Sequence, residues 1–140
     1  MKKVLLLIFL VFCCVSLIAC QSENEEMALL DTIADILISK SNGYGGLNED
    51  YFLSFNQEET ISVFEVILKN TKGISQTVDV TNEKPDFDIL IRYEDGNNQG
   101  LHLSLGNEGE ESVITYIGHE RNGFIVSAKD TNELRLLLGV

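Results

Sequence analysis

Few side chains in this sequence offer chemistry. Two histidines, His102 and His119, lie near Glu120 and Asp88, and imidazole with carboxylate is a donor set that suits zinc. Spacing fixes no third ligand, so both histidines read as solvent-facing strand or loop residues and no metal site is expected. Asp95, Asn97, Gln99 and Gly100 open like a calcium loop, with oxygen ligands at alternate positions and a glycine for the bend. The bidentate carboxylate due twelve positions in is replaced by Gly106, which leaves a hairpin turn as the better reading. Gly43, Gly45 and Gly46 suggest a phosphate cradle, but Lys40 precedes the loop and the spacing fits neither phosphate motif. The acid pairs Glu110 with Glu111 and Asp86 with Asp88 would serve glycoside chemistry only in a cleft, for which a chain this short has little room. They are expected to solvate loops and the outer face of a sheet. There is no nucleophile elbow and no serine at a recognisable distance from a histidine and an acid, so neither a catalytic set nor a cofactor is expected.

The three cysteines are Cys13, Cys14 and Cys20, all near the start. Met1, Lys2 and Lys3 are followed by an apolar run over residues 4–18 and then by Gln21, Ser22, Glu23, Asn24, Glu25 and Glu26. That is the basic region, short apolar core and polar exit of an export signal, too short to span a bilayer that requires about 20 apolar residues. The tetrad Leu17-Ile18-Ala19-Cys20 resembles the lipobox of bacterial lipoproteins. The resemblance implies cleavage between Ala19 and Cys20 and a diacylglyceryl group on the Cys20 sulfur, the two chains contributing about 0.8 kcal/mol per buried methylene. It also implies a location on the extracytoplasmic face of the cell membrane, held there by lipid. Residues 1–19 are then a signal peptide, 20–31 an acidic tether and 32–140 one domain. With Cys13 and Cys14 removed and Cys20 lipidated, no disulfide is left to staple that domain.

The chain carries 10 basic and 22 acidic residues, a formal charge of −12, and loss of Lys2 and Lys3 makes the remainder more acidic still. Such a surface repels nucleic acid and anionic lipid headgroups, which disfavours direct binding to either, and no nucleic-acid partner is expected.

The elements follow from periodicity. Residues 27–38 fit two patterns, since Leu29, Leu30, Ile33, Ala34 and Leu37 have helical spacing whereas Ile36, Leu37 and Ile38 suit a strand. A glycine-rich turn over 41–48 and a short strand over 51–55 follow. Asn56 as N-cap with Glu59 as its capping-box partner predicts a helix with Ile61, Phe64, Ile67 and Leu68 on its inward stripe, closed by Gly73. Beyond Pro85 the period becomes two. Phe87, Ile89, Ile91 and Tyr93 alternate with Asp88, Arg92 and Glu94, and Leu101, Leu103 and Leu105 alternate with His102 and Ser104, giving a hairpin. Strands over 112–118 and 124–127 form a second pair. A closing helix over 130–138 has Asp130 or Ser127 as cap and Leu134, Leu137 and Leu138 inward. The fold class expected is α+β, an antiparallel β-sheet built from hairpins with two α-helices packed on one face.

Several of these segments carry a second resemblance. Ile38-Ser39-Lys40-Ser41-Asn42-Gly43-Tyr44-Gly45-Gly46-Leu47-Asn48, the hairpin from Asp86-Phe87-Asp88 to Tyr93-Glu94-Asp95-Gly96, His102-Leu103-Ser104-Leu105-Gly106 and Glu133-Leu134-Arg135 resemble, in order, the YhfM-like lipoproteins of Firmicutes. The likeness spans roughly residues 32 to 138. It implies a membrane-anchored extracytoplasmic domain of unknown role, supplies no catalytic residues, and favours a strand over residues 32–40.

The function expected on these grounds is a small non-catalytic binding or accessory domain. Its partner would be an envelope protein or cell-wall component, met through the sheet face or the loop Asn42, Gly43, Tyr44, Gly45 and Gly46, with Tyr44 as contact point. The competing reading is a small envelope hydrolase or metal-dependent enzyme using His102, His119 and nearby carboxylates. A solute-binding component would need two lobes around a cleft, for which the chain is too small.

Overall fold

Alternating apolar residues and tight turns build the strands of this chain into one sheet. The computed structural model describes Met1 and residues 25–140; the signal, the lipobox and Cys20 lie outside the described residues. Seven strands and two helices follow one another as β1 (Ile33–Lys40), β2 (Tyr51–Phe55), α1 (Glu58–Lys69), β3 (Lys72–Thr77), β4 (Phe87–Tyr93), β5 (Asn98–Ser104), β6 (Ser112–Tyr116), β7 (Asn122–Val126) and α2 (Ala128–Leu138). The sheet order is β2-β1-β4-β5-β6-β7-β3 with every pairing antiparallel, so the fold is α+β. No helix among the described residues is long and apolar enough to cross a membrane.

The ambiguous segment before Lys40 is a strand. Ile36 and Ile38 are fully buried between two paired neighbours, where β-branched side chains pack well, whereas Leu30 of the helical pattern is exposed. One face of the sheet presents Ile36, Ile38, Ile89, Ile91, Leu101, Leu103 and Ile114, and α1 covers it with Ile61, Phe64, Ile67 and Leu68 while α2 adds Leu134 and Leu138. These side chains form a single apolar cluster, and burying each large aliphatic or aromatic one contributes about 1.5–3 kcal/mol.

The helix ends differ from the sequence expectation. The N-cap of α1 is Gln57 with no side-chain cap bond, so the Asn56–Glu59 capping box does not form; Glu58 and Glu59 in the first turn favour the helix dipole instead. Its C-cap is Asn70, and Gly73 lies inside β3, an edge strand absent from the sequence reading. The composition Lys-Gly-Ile-Ser-Gln-Thr has no alternation to reveal a strand that pairs along one side only. Ser127 caps α2, accepting from the Asp130 N–H at 3.1 Å. Ahead of β1, Met27 is buried, its N–H donating to Thr71 Oγ1 at 3.0 Å, and the Ala28 N–H donates to the Tyr116 hydroxyl at 3.0 Å.

Candidate functional site

Because side chains alternate across a strand, the register that sends Ile38, Ile89 and Leu101 to the helices sends their neighbours to the opposite face. There the register aligns Ser39 with Asp88, Asp88 with His102, and His102 with Thr115, one polar row across β1, β4, β5 and β6. All four residues are buried. This corrects the expectation that His102 faces solvent and that Asp88 solvates the outer face. The alternation was right, and toward the other end of these strands the second face is open, where exposed Arg92 pairs with Asp35 at 2.7 Å. Around His102 it is covered by the loop over residues 41–50 and by the turn between β6 and β7.

The centre of the row is an ion-pair geometry. His102 Nδ1 lies 2.7 Å from Asp88 Oδ1, and both side chains are completely shielded from solvent. The carboxylate accepts and the ring nitrogen donates, which leaves Nε2 as the ring's acceptor in the neutral imidazole. The other Asp88 oxygen, Oδ2, accepts from the backbone N–H of Asn48 at 2.8 Å. Asn48 is itself fixed, its side-chain amide donating to the Lys40 carbonyl at 2.8 Å and its carbonyl accepting from Ser39 Oγ. The covering loop therefore orients the acid, and the acid orients the base.

The solvent side of the ring is closed by two residues. Tyr44 packs edge-on against the imidazole with ring centroids 5.3 Å apart; it is half-buried, so the loop tyrosine expected to serve as a contact point belongs to the wall of this site. Burial raises the Tyr44 hydroxyl above its ordinary range, against a hydrogen bond with Ser104 that lowers it. Glu120, in the β6–β7 turn, places Oε1 3.9 Å from His102 Nε2. Its carboxyl is held below the usual carboxylate range, first by the Gly118 N–H donating at 2.8 Å, with His102 and the Gly45 N–H adding to the effect. Glu120 is thus held within its own turn and faces the glycine loop at Gly45. Gly43, Gly45 and Gly118 all have positive φ, which glycine adopts without the penalty a side chain would impose.

Two buried side-chain atoms have no hydrogen-bond partner among the described residues: His102 Nε2 and Thr115 Oγ1. Buried polar groups are nearly always satisfied, so this pair marks a place where chemistry or a ligand is expected. His119, by contrast, is exposed in its turn, and no group of three or more His, Cys, Asp or Glu side chains among the described residues is arranged to hold a metal ion. The structure thus separates the two histidines that the sequence reading had paired, and joins His102 to Asp88 and Glu120. The Asp95 loop is a tight hairpin turn, with Asp95 Oδ1 accepting from the Asn97 N–H at 2.8 Å. Glu110 accepts from Asn107 within its own loop, and Asp86 accepts from the Leu105 N–H.

Comparisons with known proteins bear on the family and on the fold. The family model described as YhfM protein matches residues 32–139. A solved structure titled a thioesterase-like protein, from Clostridium sporogenes ATCC 15579, superposes with a TM-score of 0.56 and 22% identity, over 79% of this chain and 95% of that one. No curated protein matches the chain. The likeness in fold to a thioesterase-like protein overturns the expectation of a non-catalytic binding or accessory domain. That expectation rested on the want of a catalytic set, and sequence spacing alone did not reveal that Asp88 and His102 meet.

Proposed function

The chain belongs to the YhfM protein family, whose description names no reaction; from the site itself we propose that the domain is a small hydrolase of acyl esters or thioesters, with His102 as general base and Asp88 as the group that orients it. The observation that carries this reading is the buried Asp88–His102 pair with Nε2 unpartnered. An imidazole held by a carboxylate at Nδ1 keeps its second nitrogen aimed and basic, and a positioned base of this kind contributes about 10²- to 10⁴-fold to the rate of a hydrolysis. The fold shared with a thioesterase-like protein supports the acyl class.

Charge narrows the substrate. Glu120 closes the site, and Glu83, Asp79 and Asp86 add through their charge to the rise that burial imposes on the Tyr44 hydroxyl. With a net charge of −12 behind them, these carboxylates disfavour acyl carriers that bear phosphates and favour neutral or cationic ones. Entry requires the loop over residues 41–50 to move, and the glycines at 43 and 45 permit that. In the cell, the lipobox-like tetrad supports a lipid anchor on Cys20 that holds the domain on the extracytoplasmic face; Cys20→Ser protein that still matured and stayed with the membrane would remove that support.

The test is direct. The purified protein is assayed on neutral 4-nitrophenyl acyl esters and on acyl thioesters of uncharged thiols. Turnover that falls at least 100-fold in His102→Asn supports the reading, and turnover unchanged in that variant sinks it.

A further inference from the structure

Thr115 is the register partner of His102 on the strand beyond it. Asp88 stands on β4, to one side of β5, and Thr115 stands on β6, to the other. A ring whose Nδ1 is held by Asp88 must therefore turn Nε2 toward the side of Thr115 and Glu120. Directly opposed residues on one face have Cβ atoms about 4.5–5.5 Å apart, so the Thr115 side chain flanks the space beside the imidazole on its Nε2 side. The Thr115 hydroxyl and Nε2 are both buried and neither has a partner, while Glu120 Oε1 borders that space at 3.9 Å from Nε2. A separation of 3.9 Å is too long for a hydrogen bond but fits a water with two legs of about 2.8 Å meeting at roughly a right angle.

We infer that His102 Nε2, Thr115 Oγ1 and Glu120 Oε1 together form a water site, and that this water is the nucleophile of the hydrolysis. The inference rests on the hydrolase reading for its second half only. Three polar partners are the usual number for a buried water. In the reaction the water oxygen bonds to the acyl carbon and its proton passes to Nε2. The tetrahedral species then expels the thiol or alcohol, which leaves with the proton from Nε2, and the acid is the second product. Thr115 acts through the water and is a positioning residue. Glu120 accepts the water's second hydrogen, which turns an oxygen lone pair toward the carbonyl.

The test compares wild type with Thr115→Ser, which keeps the hydroxyl, and Thr115→Val, which keeps the shape and removes it. Crystal structures at a resolution that shows ordered water should hold one within hydrogen-bond distance of Nε2 in wild type and Thr115→Ser and not in Thr115→Val. With a 4-nitrophenyl acyl ester, kcat should fall about 10-fold or more in Thr115→Val with KM unchanged, and Thr115→Ser should restore it. The His102 Nε2 nitrogen shift in solution gives a second readout, moving in Thr115→Val alone. A water retained in Thr115→Val, or a direct Thr115–His102 bond in wild type, overturns the water site. A kcat unchanged in Thr115→Val while His102→Asn is inactive overturns the nucleophile assignment and leaves the hydrolase reading standing. Wild type without turnover removes the hydrolase reading, and the crystals still decide the water.

Discussion

Asp88 Oδ1 lies 2.7 Å from His102 Nδ1, and the two residues face each other across the β4–β5 register with their side chains sealed from solvent. A backbone N–H from Asn48 holds the free oxygen of the acid, so the carboxylate cannot turn away from the ring. Replacing Asp88 by Asn preserves the shape but puts an amide N–H where the acceptor stood. With Asn48 demanding the carbonyl oxygen, the amide nitrogen faces Nδ1, which must become an acceptor and send its proton to Nε2. The base is then lost. Asp88→Asn is expected to lower kcat by about 10²- to 10⁴-fold with KM little changed, measured on an acyl ester, while nitrogen NMR shows the tautomer reversed.

Much of this was written in the sequence, and several steps were not. The period-two runs on either side of Asp95 place Asp88 and His102 on the same face of the hairpin. The Tyr93 N–H bonded to the Asn97 carbonyl centres the turn on Asp95, and residues equally distant from that centre are partners, which makes Asp88 the partner of His102. A turn read loosely as ending at Gly100 hides that arithmetic. The burial of the pair was illegible for another reason: the loop and turn that cover it come from residues 41–50 and 117–121, and no local pattern says where a glycine loop will lie. The edge strand β3 escaped notice because a strand paired on one side needs no alternation. By contrast, the inward stripe of α1 and the inward leucines of α2 follow from helical spacing alone.

The Glu120 carboxyl, bonded to Gly118 within its turn and facing the glycine loop, carries a pH dependence. Its carboxyl is held low, chiefly by the Gly118 N–H donating at 2.8 Å, with smaller effects from His102 and from the Gly45 backbone. A carboxyl whose folded value is depressed stabilises the folded arrangement above its ordinary value near 4.5, and that contribution is lost as pH falls through the depressed value. The turn at Gly118, and with it the cover over the glycine loop, should therefore loosen only as pH falls through the acid range. Amide exchange at Gly45 and Gly118, corrected for its intrinsic pH dependence, should quicken as Glu120 takes up a proton, and Glu120→Gln should abolish that dependence. Exchange in wild type that ignores pH across the same range would show that the carboxyl holds nothing.

The helix side of the sheet is anchored by Phe64, fully buried within the cluster and packed against Phe55 with ring centroids 6.5 Å apart. Truncation to alanine removes its contacts with both the sheet and Phe55 and leaves a cavity the paired strands cannot collapse. Phe64→Ala is expected to cost about 3–5 kcal/mol, read from urea unfolding, whereas Val66→Ala on the exposed face of the same helix should cost less than about 0.5 kcal/mol.

Gly106 and Gly109 occupy one loop and need to be glycine for different reasons, which a pair of alanine variants separates. Gly109 has φ of +80° with open space around a would-be Cβ, so Gly109→Ala meets only the left-handed backbone penalty, about 1–2 kcal/mol. At Gly106 a Cβ would run into the backbone carbonyl of Glu111, an atom that cannot swing aside as a side chain does. That stretch is further pinned, because the Gly106 N–H donates to Ser112 Oγ at 2.9 Å and its carbonyl accepts from Arg135 Nη1 at 3.1 Å. Relief would require the loop to part from β6 and α2 together. Gly106→Ala is therefore expected to cost about 3 kcal/mol or more, clearly above Gly109→Ala, in the same urea measurement. The close passage of Glu111 also explains why glycine stands at the twelfth position of the calcium-like run, where a ligating side chain would have no room. Equal costs for the two variants would mean that the loop yields freely at Glu111.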